Sequence, residues 1–236
     1  MKRNSFTTII TVAIVFACVW IAVSFAKDAT RPTDWFQWRG PNRDGISSEK
    51  GWLSAWSKEG PPRLWKGFVG VGFSTVSISD GHAYTMGNMN KTDTVYCLDA
   101  STGTEIWKYS YHCVAEGGGH PGTASTPTVD GKRVYTLSRD GDLFCFDTDS
   151  GKVIWYKNLP KEFGAKPPDW SLACSPLVYG KKLIVDAGMT FAFDKSTGNL
   201  IWKTKQYGGG YSSPIIFPLE GSQRLAVFNS PGLVIL

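Results

Sequence analysis

CLDASTGTEIW at residues 97–107, CFDTDSGKVIW at 145–155 and AFDKSTGNLIW at 192–202 are three copies of one motif, set 48 and 47 residues apart. All three carry Asp at the third position, Ser or Thr at the sixth, Gly at the seventh, Ile at the tenth and Trp at the eleventh. Self-similarity at such a period marks a repeat architecture, in which each unit buries its apolar face against its neighbours. Asp99, Asp147 and Asp194 are placed to accept hydrogen bonds from turn amides, and Gly103, Gly151 and Gly198 to take positive φ, where a Cβ costs about 1–2 kcal/mol. Each copy therefore reads as strand, tight turn, strand. Trp107, Trp155 and Trp202 recur on the second strand, each with a large apolar area to bury against the next unit.

Upstream of each motif lies a further strand pair. In the second unit ASTPTV (124–129) alternates, Asp130-Gly131 turns, KRVYTLS (132–138) runs back, and DLFCFD (142–147) and KVIWYK (152–157) complete four strands. The first unit matches with FSTVSIS (73–79), HAYTMG (82–87), TVYCLD (94–99) and TEIWKY (104–109). CSPLVY (174–179), KLIVDAG (182–188), MTFAFD (189–194) and NLIWKT (199–204) form the third. A fourth begins with YSSPIIFP (211–218), continues with RLAVFN (224–229) and reaches LVIL at 233–236. Four antiparallel strands per repeat of this length predict an all-β fold, a partial β-propeller of three complete blades plus part of a fourth.

The motif resembles the tryptophan-docking motif of pyrroloquinoline-quinone-like (PQQ-like) repeats, found in quinoprotein alcohol dehydrogenases and in the outer-membrane assembly scaffold lipoprotein. The leader WFQWRGPNRDGISSEKGWLSAW (35–56), followed by GPPRLWKGFVGVGFS, is similar to secreted quinone-repeat propellers of planctomycete-type bacteria. This resemblance implies a full ring of about seven or eight blades. It also makes Pro62 to Lys66 the closing strand of the last blade, so the chain is expected to be a fragment of a longer product. The division that follows is 1–26 signal peptide or signal anchor, 27–61 leader, 62–66 closing strand, 67–110, 111–158 and 159–206 as the three blades, and 207–236 as the incomplete fourth. One scaffold hosts dehydrogenases, scaffolds and binding proteins alike. The resemblance thus implies an exported binding or scaffold module at the cell envelope, with a quinone (PQQ)-dependent dehydrogenase using Ca²⁺ as the alternative.

Composition agrees with a turn-rich, aromatic-rich β protein: 26 Gly, 13 Pro and 10 Trp in 236 residues, with only 19% charged. The net charge is +5, and +3 once residues 1–26 with Lys2 and Arg3 are removed. So mild an excess, spread along the chain, excludes a nucleic-acid footprint. Asn4 to Ala26 is uncharged and apolar at its centre, an export signal that offers a cleavage site at Ser24-Phe25-Ala26 and approaches a membrane span in length. A periplasmic or envelope location, with membrane association through residues 4–26, is the expectation. Export would put Cys97, Cys113, Cys145 and Cys174 in an oxidising compartment. Ala192 nevertheless stands where Cys97 and Cys145 stand in their copies, so that position asks only for a small buried residue.

The short Asp-Gly and Thr-Gly turns fall on one face of the blades and the long connections on the other: 87–93, 111–122 and 159–170. A surface binding a protein, peptide or glycan is expected on that second face, near the axis. Trp170 is its candidate ligand-stacking residue, since a planar quinone or a sugar ring packs on an indole. His112, Cys113, Glu116 and His120 have metal-ligand chemistry but match no standard zinc spacing, and a solvated loop is the expectation. The sequence has no adjacent Cys pair and no C-x-x-C-H haem site. Catalytic residues and calcium ligands are not assigned.

Overall fold

The computed structural model describes residues 34–114 and 120–236; the export segment, Glu116 and the glycines at 117–119 lie outside the described residues. Three four-stranded antiparallel sheets and one of three strands follow one another along the chain. Blade 1 holds β1 (Ser77–Ser79), β2 (His82–Met89), β3 (Thr92–Asp99) and β4 (Glu105–His112). Blade 2 holds β5 (Thr128–Asp130), β6 (Arg133–Leu137), β7 (Asp142–Asp147) and β8 (Val153–Asn158), and a short helix α1 (Leu159–Phe163) follows. Blade 3 holds β9 (Leu177–Tyr179), β10 (Lys182–Asp186), β11 (Thr190–Asp194) and β12 (Leu200–Lys203). The last sheet holds β13 (Ile215–Leu219), β14 (Ser222–Asn229) and β15 (Gly232–Ile235). Strand order within every sheet is sequential, the up-and-down pattern of a propeller blade. Among the described residues no helix is long and apolar enough to cross a membrane.

The motif builds each outer hairpin and joins it to the preceding blade. Asp99 Oδ1 accepts from the amides of Ser101 and Thr102 and from the Thr102 hydroxyl at 2.7–3.0 Å, and Asp147 and Asp194 repeat this with their own Ser or Thr. Trp107 Nε1 donates to the carbonyl of Thr148 at 2.7 Å, and Trp155 Nε1 to that of Lys195 at 3.1 Å. Both indoles lie flat on the motif glycine of the next blade: a Cβ on Gly151 or Gly198 would come within 2.6–2.7 Å of the ring. Trp65 treats blade 1 in the same way, donating to Ala100 O at 3.0 Å and covering Gly103. Cys97, Cys145 and Ala192 sit directly across the ladder from Trp107, Trp155 and Trp202, and each is followed by a register shift. A small residue there leaves room for the neighbouring indole on the same face.

The core lies between blades. One cluster joins Tyr84, Met86, Val95 and Trp107 of blade 1 to Val134, Phe144 and Phe146 of blade 2. The next joins Tyr135, Leu143 and Trp155 to Leu183, Phe191 and Phe193 of blade 3. The inner strands are shorter than expected, three residues each in blades 1 to 3, because the residues ahead of them face adjacent blades instead of their own sheet. Ser74 donates to Ser125 O, Thr126 N donates to Ser175 Oγ and Ser175 N donates to Ser213 Oγ, at 2.6–3.0 Å. Residues 87–93 are no long loop either: β2 and β3 run on to Met89 and from Thr92, around a turn in which Asn90 and Lys91 both take positive φ.

The leader packs against these inner segments. Trp35 and Phe36 accept from the amides of Ile78 and Val129, and Asp34 accepts from Ser79 and Asp80. Arg43 is buried, donates to Ser175 O and Pro176 O at 3.0–3.1 Å, and is pushed down to about 10 by desolvation.

Candidate functional site

Three residues before Pro127, Pro176 and Pro214 stand Ala124, Ala173 and Tyr211, and Phe73 holds the same place ahead of Val76 in the first unit. All four line one cavity of about 420 Å³, with Ser175, Ser212 and Ser213 from the same inner segments. The two alanines leave the space and the two aromatics bound it. His120 and Trp170 enter from the loops that precede blades 2 and 3, and Trp38 from the leader. Trp170 stacks on Tyr211 at 5.5 Å, His120 meets the edges of Trp170 and Phe73 at 5.9 Å each, and Trp170 remains 52% exposed, so indole surface is available to a ligand.

Arg139, buried in the turn that follows β6, ties the two loops together. Its guanidinium donates to the carbonyls of His120 and Gly122 from one loop and of Trp170 from the other, the last at 2.6 Å. Backbone carbonyls held in this way place the aromatic side chains. The site can take a flat apolar or amphipathic ring against Trp170 and meet its polar groups with serine hydroxyls.

Of the sequence candidates, Trp170 and His120 come together here, and His112 and Cys113 do not join them. His112 ends β4, and Cys113 is fully buried, not solvated, with its carbonyl accepting from Asn88. Cys97, Cys113, Cys145 and Cys174 are all buried free thiols. Phe73, Tyr211, Arg139 and Trp38 were missed by sequence reasoning. The shared offset of Phe73, Ala124, Ala173 and Tyr211 from the inner-strand start was the signal that could have found two of them.

A family model described as outer membrane protein assembly factor BamB matches residues 91–234. The chain belongs to this family of PQQ-like repeat propellers. Among curated proteins, this PQQ-like repeat propeller is 29% identical over 162 residues to quinohemoprotein alcohol dehydrogenase ADH IIB of Pseudomonas putida, covering 61% of the chain and 22% of that protein. It is 28% identical over 116 residues to outer membrane protein assembly factor BamB of Moranella endobia, covering 48% of the chain and 30% of that protein. The chain thus spans less than a third of the length of either relative. Among solved structures, quinohemoprotein alcohol dehydrogenase ADHIIG of Pseudomonas putida HK5 superposes with TM-score 0.59 at 19% identity, covering 84% of this chain and 34% of its own. The enzyme from Comamonas testosteroni gives 0.57 at 20%, covering 75% and 28%. At these identities the likeness establishes the propeller fold alone.

The described lining of this cavity offers Trp170 to the ring of a quinone but no ligand set for the Ca²⁺ that the resemblance pairs with it. Among the described residues no carboxylate lines the cavity, and no three His, Cys, Asp or Glu side chains gather as a metal site. A hard cation needs oxygen donors of that kind.

Proposed function

We propose that the chain is part of an exported, envelope-located propeller that acts as a binding or scaffold module, holding a protein, peptide or glycan at its loop face. The observation that carries this reading is the aromatic cavity of Trp170, Tyr211, His120 and Phe73, built where the inner segments of four successive sheets converge. Its lining offers serine hydroxyls, and the Arg139 guanidinium donates to the carbonyls of His120, Gly122 and Trp170, a set suited to recognition. Family membership with an outer-membrane assembly factor supports the scaffold role. Trp65, docked on blade 1 as Trp107 is on blade 2, supports reading residues 62–66 as the outer strand of a further blade.

The quinoprotein relatives favour a second reading, a quinone-dependent dehydrogenase with its site shared among other blades. The two readings separate on the full-length protein incubated with the quinone and Ca²⁺ in a dye-linked alcohol oxidation assay. The binding module gives no turnover above the quinone alone. It also gives a saturable change in Trp170 fluorescence with members of a glycan and peptide panel, lost in Trp170→Ala. Alcohol-dependent dye reduction would overturn it.

A further inference from the structure

Three tyrosines at the junction of blades 1 and 2 are not demanded by the repeat. Two and four residues past the motif Trp stand Tyr109 and Tyr111 in the first unit, Lys157 and Leu159 in the second, and Thr204 and Gln206 in the third. One residue past it stand Lys108, Tyr156 and Lys203. Tyr109, Tyr111 and Tyr156 line a groove of about 620 Å³ between β4 and the β7–β8 pair, with Phe144 as its floor. The Phe144 ring lies 4.7 Å from Tyr111, 4.7 Å from Tyr156 and 5.5 Å from Tyr109. At the next junction the matching pair, Phe191 and Phe193, is covered from within the chain by Phe163 of α1, at 5.6 Å from each. The first junction keeps its groove.

Two of the three phenols donate their hydroxyl protons to carboxylates, Tyr111 to Asp93 at 3.3 Å and Tyr156 to Asp142 at 2.7 Å. Such a bond leaves the ring richer in negative charge, and the face of an aromatic ring attracts a cation through its quadrupole. Asp140 and Asp142 line the polar end of the groove. Among the described residues, the ion pairs engage neither of them, nor Asp93. Lys161 of α1 and His112 of β4 also line the groove, so the carboxylates and rings must outweigh one fixed ammonium there. A metal ion is a poor fit, since among the described residues no three His, Cys, Asp or Glu side chains gather closely enough to hold one. A primary ammonium is strongly hydrated and would lose its water at these walls. An alkylated ammonium, with diffuse charge and an apolar surface, matches both walls and end.

We propose that this groove binds an alkylated ammonium ion through the rings of Tyr109, Tyr111 and Tyr156 and the charges of Asp140 and Asp142. The test is titration of the full chain with choline and with its neutral carbon isostere, 3,3-dimethyl-1-butanol, followed by calorimetry and tyrosine ring chemical shifts. Choline should bind about tenfold more tightly than the isostere, the size expected for partly desolvated cation–π contacts. Tyr109→Leu should weaken choline about fivefold or more. Tyr156→Phe, which keeps the ring and drops the carboxylate contact, should weaken it by less. Phosphatidylcholine vesicles distinguish the source of the group: co-sedimentation reversed by free choline identifies a lipid headgroup, and choline binding without co-sedimentation identifies a free ion. Equal affinity for choline and isostere overturns the proposal. So does the absence of saturable choline binding, or affinity unchanged in both variants while their unfolding midpoints match the parent.

Discussion

Gly151→Ala isolates the contact that joins one blade to the next. Gly151 has φ 68°, and a Cβ there would sit 2.6 Å from Cδ2 of Trp107. The left-handed backbone alone costs about 1–2 kcal/mol for a residue with a Cβ. Moving the indole out of a packed site adds about 1–3 kcal/mol, and losing its hydrogen bond to Thr148 O adds about 0.5–1.5 kcal/mol. The expected loss is therefore about 2.5–6.5 kcal/mol. Gly81 is the internal control: φ is 78°, and nothing lies within 4 Å of its added Cβ. Gly81→Ala should show the backbone cost only, about 1–2 kcal/mol. Urea unfolding followed by fluorescence and circular dichroism, with unchanged slopes, reads both. In the cycle with Trp107→Ala, the Gly151→Ala cost should fall toward the Gly81→Ala value, because the clash partner is gone. Equal shifts for Gly151→Ala and Gly81→Ala, or full additivity with Trp107→Ala, would refute the docking account.

The remaining expectations follow from burial and charge. Trp155→Ala should lose about 3–5 kcal/mol, and the half-exposed Trp170→Ala under about 1 kcal/mol, in unfolding midpoints; equal losses would contradict the inter-blade packing of Trp155. Cys97 and Cys145, pushed up to about 11 and about 12 by burial, should remain reduced and alkylate slowly at neutral pH, which thiol mapping by mass spectrometry without reductant checks. The Ser150 hydroxyl holds Asp147 below the usual carboxylate range, so its stabilisation is present above about pH 4 and lost as the pH falls through its folded value. Asp147→Asn should accordingly cost less stability in acid than at neutrality. Burial raises Asp186, which has the opposite sign: the folded state is favoured at low pH and loses stability as the pH rises from about 4 through the folded value. Asp186→Asn should flatten that slope, and a steeper one in urea midpoints measured across the range would contradict the assignment.

The blade architecture was legible because it is a one-dimensional property. An Asp three residues from the start of each motif, a Gly four later and a Trp four after that specify a turn and a strand by local chemistry alone. Repetition at a spacing of 48 and 47 residues then implies stacking without any coordinates. Burial at the first motif position was equally readable, since Cys, Cys and Ala share only small size.

The sites were not legible in the same way. Arg139 reads as one more surface cation in SRDGD (138–142), yet it is buried and holds two loops by their carbonyls. The inner strands look six or seven residues long by alternation. They shorten because Ser74, Thr126 and Ser175 find partners on neighbouring blades, which no local pattern records. Phe73 and Tyr211 lie 138 positions apart in sequence and face the same cavity. By itself, then, the sequence determined the hairpin, the blade and its repetition, because these depend on backbone preference and on contacts near in the chain. Only the tertiary structure decided which side chains share a cavity and which junction keeps a groove, because both depend on how successive blades bring residues from distant repeats together.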